Sequence, residues 1–136
     1  MGRPAEGDRS GGERPRKRRQ RLSRSAEFER VYREGRSHAS RHLVVYAFPR
    51  GEEDDPPRLG VSVGRKLGAA VDRNHVKRLL REAFWSSVKD VRPGHDFVIV
   101  ARPPAGELAQ TEGEPGVSAA LRQLLAEAGL TRSEAT

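Results

Sequence analysis

No cysteine occurs anywhere in the 136 residues, which excludes a disulfide framework and any thiolate metal site. No apolar run approaches the roughly 20 residues needed to span a bilayer, and no apolar signal core precedes the charged start of the chain. Both absences point to a cytoplasmic protein without a membrane partner. Clustered carboxylates are missing too. The acids fall mostly in Glu52, Glu53, Asp54 and Asp55, which read as a solvated, proline-flanked loop, or singly on helices, so a protein-held pair of magnesium ions has no candidate ligands. The four histidines offer no metal pair at helical spacing. His38 and His42 share the interval but stand at a loop-to-strand entry, where they read as polar surface residues. No serine or histidine dyad suggests a nucleophile.

Positive charge is what the chain has in excess. A net charge of +7 and a pI near 10.7 imply attraction to a polyanion, because each neutralised phosphate releases condensed counterions. Nucleic acid is the first candidate and an anionic membrane the second. Arg14 to Arg24 holds seven cations and no acid, within a stretch that lacks periodic apolar residues. Residues 1–21 therefore read as a disordered basic tail, either an arm along RNA phosphates or a solubilising extension. Residues 103–136 instead carry five acids against Arg122 and Arg132, and this part is expected to face away from the polyanion. With 35% hydrophobic residues the chain supports one modest domain, placed at 22–131, followed by a flexible 132–136.

Spacing gives the elements. Ser25 to Glu34 reads as a helix, with Ser25 in capping position, Phe28 and Tyr32 on one face and Gly35 as terminator. His42 to Phe48 is β-branched and aromatic enough for a strand, and Arg58 to Val63 makes a second, expected to pair with it as a hairpin. Val76, Leu79, Leu80, Ala83, Phe84 and Val88 form one apolar helical stripe. Asn74, Arg78 and Arg81 project opposite that stripe, Arg73 and Lys77 run along its edge, and Asp72 suits the positive end of the helix. Asp96 to Ala101 is a buried strand, Ala105 to Pro115 a loop, and Val117 to Ala128 a closing amphipathic helix ended by Gly129. A strand, a long helix and a strand imply a parallel crossover. The fold class is α+β: a two-layer sandwich with a mixed four-stranded sheet and about three helices, in α-β-β-β-α-β-α order.

The residues from about Leu22 to Leu130 resemble the protein subunit of bacterial ribonuclease P. The likeness is densest at Arg73-Asn74, Val76-Lys77-Arg78 and Arg81-Glu82-Ala83-Phe84, which look like that family's arginine-asparagine-basic helix. Phe28 with Tyr32, Leu59 to Val63 before Arg65-Lys66, and Asp96 to Arg102 support it in the same order. The resemblance implies an unusual left-handed crossover around the signature helix, although the general rule for such connections is right-handed. It also implies a ribonucleoprotein endoribonuclease. A catalytic RNA with magnesium removes the 5′ leader of precursor tRNA, and the protein binds RNA without being catalytic alone or needing an obligate protein partner.

By the same carry-over, Arg73, Asn74, Lys77, Arg78 and Arg81 meet the catalytic RNA, gripping phosphates with guanidinium forks. Phe28, Tyr32 and Tyr46 offer stacking faces to the single-stranded leader, while Arg65, Lys66 and Arg102 neutralise its phosphates. Read from spacing alone, Phe28 fits core packing as well as stacking, and Trp85 fits either RNA or protein. Three positions depart from the family pattern: His75 where a strong base is usual, Ala69 where asparagine is frequent, and Gly64 before the basic pair. Two other functions fit the charge and fold, namely a general RNA-binding module and a self-sufficient protein nuclease.

Overall fold

The computed structural model describes residues 21–22, 25–49 and 56–131. The basic tail before residue 21, the Glu52–Asp55 acids, the Ser25 side chain and the segment after 131 lie outside the described residues, and so do the readings made for them. The elements run α1 (Ser25–Glu34), β1 (Arg36–Ala39), β2 (Leu43–Pro49), β3 (Arg58–Val63), α2 (Ala70–Ser86), β4 (His95–Ala101) and α3 (Pro104–Glu127). One-turn helices at Arg65–Leu67 and Val88–Asp90 bracket α2.

The four strands form a mixed sheet ordered β1-β2-β4-β3. β4 is antiparallel to β2 and parallel to β3, so the expected crossover exists. The expected β2–β3 hairpin does not, because β4 lies between them. The reason is burial: Phe97, Val98 and Ile99 are all sealed from solvent, and a strand that is apolar on both faces belongs in the middle of a sheet. β3, with Gly60 and Ser62 on one face, takes the edge.

Strand alternation sends Leu43, Val45, Ala47, Leu59, Val61, Val63, Phe97, Ile99 and Ala101 to one face, where they pack against α2 and α3. Helix α1 covers part of the other face, with Val31 fully buried against Val98 and Leu22. Leu22 reaches that position because its N–H donates to the Leu59 carbonyl at 2.8 Å and Arg21 bridges Leu59 on the outer edge of β3.

Ala105 to Pro115, expected as a loop, is helical as far as Gly113, which breaks α3 with φ 63° and ψ −152°. Glycine and proline at 106, 113 and 115 masked the signals that were present, namely Pro104 in the first turn and Ala105 with Ala109 buried four residues apart. Small residues let α3 approach closely, since a Cβ on Gly106 would stand 3.1 Å from Leu67. At its end, Leu130 N–H donates to Leu125 O, Gly129 N–H donates to Ala126 O, and Gly129 holds φ 74°. That is a Schellman cap.

The N-terminus of α2 has no such closure. Ala69 occupies the N-cap with extended φ −71° and ψ 168° and offers no side-chain acceptor. Asp72 sits in the first turn rather than at the cap. Ala69→Asn is therefore expected to stabilise the protein by about 0.5–1 kcal/mol, read as a rise in denaturant midpoint at constant slope. No gain would mean that the free N–H groups already have partners.

Candidate nucleic-acid interface

The face of the sheet that α1 only partly covers carries the aromatic residues. In-register pairing puts Ser37, Tyr46, Val98 and Gly60 in one row across the sheet, and Ala39, Val44, Val100 and Ser62 in the next. Phe28 of α1 lies directly on Gly60, where an added Cβ would stand 2.5 Å from the ring. One turn later Tyr32 meets Tyr46 edge to face at 4.8 Å, with Phe28 and Tyr32 centroids 6.2 Å apart. The three predicted aromatics are thus brought together.

Their exposure differs, which separates core packing from availability. Phe28 and Tyr46 are half-buried, whereas Tyr32 is 38% exposed. Burial raises the Tyr32 phenol above its usual range, a hydrogen bond with Ser62 partly offsets this, and Tyr46 adds to the rise. Tyr32 therefore stays a neutral donor and ring at physiological pH. Phe48 extends the aromatic floor and carries the Arg30 guanidinium 5.7 Å above its ring. Sequence reasoning did not single out either residue, although Phe48 shares its strand face with Tyr46.

Because β3 and β4 are parallel and Val63 pairs with Ala101, their C-terminal ends coincide. Arg65 and Lys66, in the one-turn helix after β3, and Arg102, after β4, consequently stand at one end of the cleft, all exposed. The Arg102 guanidinium donates to Ser40 O at 2.8 Å, which fixes it over the β1–β2 turn.

The basic helix lies on the opposite side of the sheet and is joined to the cleft through the Arg65–Leu67 turn. Asn74 and Arg78 are exposed, while Arg73, Lys77 and Arg81 are half-buried. Arg73 Nε donates to Gly68 O at 3.2 Å, anchoring that side chain along the helix start. Arg78 lies 3.1 Å from His75 Nδ1. Since guanidinium only donates, that nitrogen accepts and His75 carries its proton on Nε2. Burial lowers the Arg81 pKa and the neighbouring Arg21 charge lowers it further, yet it remains a cation at neutral pH. Trp85, open between RNA and protein in the sequence, packs edge to face on Phe84 at 4.9 Å and against the core.

Sequence reading missed the ion-pair cluster that seats α1. Arg58 binds Asp96 through two parallel bonds, Nε to Oδ1 at 2.9 Å and Nη2 to Oδ2 at 2.8 Å, and reaches Glu27 of α1 at 3.1 Å. Asp96, only 2% exposed, raises the Arg58 pKa more than desolvation lowers it. The available signal was a cation and an acid at the starts of two parallel strands. The histidines also differ from expectation: His38 lies within β1, half-buried, with Nδ1 sealed and unpartnered among the described residues. Pairing with Val45 turns its side chain to the core face of the sheet, which is less open than a loop entry.

Among the described residues no three His, Asp or Glu side chains converge as a metal ion requires, and no helix is long and apolar enough to cross a membrane.

Comparison with known proteins gives a consistent result. A family model described as Ribonuclease P matches residues 17–128. The chain is similar to the ribonuclease P protein component of Geobacillus thermodenitrificans, 41% identical over 107 residues, covering 79% of this chain and 88% of that one. Among solved structures, the RNase P protein of Staphylococcus aureus aligns with a TM-score of 0.71 at 35% identity, covering 82% of this chain and 96% of that one. That of Thermotoga maritima aligns at TM-score 0.71 and 32% identity, covering 79% and 96%.

Proposed function

The chain belongs to the ribonuclease P protein family, and from that premise we propose that it binds the catalytic RNA and the 5′ leader of precursor tRNA in the cytoplasm. Its role is to assist leader removal by the RNA. The observation that carries this is the convergence of Phe28, Tyr32 and Tyr46 in a partly open cleft with Arg65, Lys66 and Arg102 at one end. Rings and guanidinium groups so arranged suit a single strand, because bases stack on the rings while phosphates meet the cations. A duplex presents neither free bases nor a backbone narrow enough to enter.

On the far side of the sheet, Arg73, Asn74, Lys77, Arg78 and Arg81 form the surface for the catalytic RNA. Asn74 and Arg78 are the exposed members of the set. In this reading magnesium belongs to the RNA. The protein contributes binding and orientation: the cleft holds the leader extended, and the basic helix holds the cleft against the RNA. Nothing in this role requires a nucleophile or a general base from the protein.

The deciding experiment measures leader cleavage at low magnesium with the RNA alone, the protein alone and both together. Rescue only in the mixture is expected. Cleavage by the protein alone would identify a self-sufficient nuclease, and no effect of the protein would leave a general RNA-binding module. At residue level, Arg78→Ala is expected to weaken affinity for the catalytic RNA and reduce the slope of log K against log salt by about one unit, as for one lost phosphate contact. An unchanged slope removes Arg78 from the interface.

A further inference from the structure

We infer that the hollow beneath the β1 edge, bounded by Arg36, His38, Arg92 and His95, is a binding site for a phosphate group, separate from the aromatic cleft. Register puts it there. Arg36 pairs with Ala47, His38 with Val45 and His95 with Pro49, so all three basic side chains leave the sheet on the α3 side, opposite the cleft. The capped end of α3 closes another wall, and the cavity measures about 390 Å³, room for a phosphate with its sugar.

Arg36 and Arg92 are both exposed, and neither forms an ion pair among the described residues. Glu34, the one acid on the rim, lies 3.9 Å from Arg33 instead. The C-terminal carbonyls of α3 draw cations to this corner, but the carbonyl dipoles do not neutralise two guanidinium groups. His95 Nδ1 donates to Pro93 O at 3.0 Å, since a carbonyl only accepts, so that proton is already engaged within the protein. The His95 ring plane is fixed by stacking on Phe97 at 5.7 Å. His38 Nδ1 has no partner among the described residues. Two guanidinium forks on the walls of one cavity fit a tetrahedral anion better than a planar carboxylate, which a single arginine satisfies.

Free nucleotide and an RNA backbone both carry this group, and one titration separates them. At constant ionic strength, NMR shifts of the His38 and His95 rings are followed with inorganic phosphate, cytidine monophosphate and a short oligoribonucleotide. Saturating shifts with phosphate and the mononucleotide support a small-ligand site, and saturation by the oligoribonucleotide alone supports a backbone phosphate. The Arg36→Ala/Arg92→Ala double variant, both exposed and checked for folding by its melt, is expected to weaken binding at least about tenfold. Unsaturating shifts, or shifts that survive the double variant, would overturn the site.

Discussion

Asp96→Asn is expected to destabilise the protein by about 3 kcal/mol, the lower end of the cost of breaking a buried ion pair, because Glu27 still compensates part of the Arg58 charge. Arg58 and Asp96 meet through two bonds of 2.9 and 2.8 Å, with the Asp96 side chain 3% exposed and that of Arg58 23%. An asparagine keeps the shape but aims one N–H at a guanidinium that can only donate. Against a total stability of about 5–15 kcal/mol, the loss should lower Tm by more than about 10 °C. Glu27→Gln, at the more exposed end of the cluster, should cost about 0.5–1 kcal/mol. Thermal melts of both variants check the ranking, and a milder effect at Asp96 than at Glu27 would contradict it. Since Arg58 also holds Glu27 at 3.1 Å, the cluster seats α1 on the sheet and thereby sets the position of Phe28 and Tyr32.

Tyr32→Ala is expected to weaken leader binding by about 1–3 kcal/mol, roughly 5- to 150-fold, the range for losing one stacked base. Tyr32 is the most exposed of the three clustered rings and already has one edge occupied by Tyr46. Because α1 and α2 lie on opposite faces of the sheet, affinity for the catalytic RNA should stay unchanged. Binding assays comparing precursor tRNA with and without its leader isolate the effect. Equal losses for both substrates would show that Tyr32 supports the fold rather than the leader.

Much of the architecture was written locally. The three-and-four spacing of Val76, Leu79, Leu80, Ala83 and Phe84 is the buried stripe of α2, and all five are sealed. Val98 and its neighbours announced a buried strand by being apolar at consecutive positions. Errors arose where a decision depended on partners distant in sequence. Adjacent strands β2 and β3 looked like a hairpin, since nothing within either one reports that β4 will enter between them. Glycine and proline in residues 105–115 argued for a loop, yet two alanines packed on the core, and the close approach that small residues allow, outweighed their low helix propensity.

The basic helix was determined by the sequence itself, because charge and helical period are properties of short segments. Only the tertiary structure decided that Phe28, Tyr32 and Tyr46 share one cleft, that Arg65, Lys66 and Arg102 stand at the same end of it, and that Arg58 finds Asp96 across 38 residues. Strand order and register fix which distant side chains meet, and those follow from burying every apolar face at once rather than from any one segment.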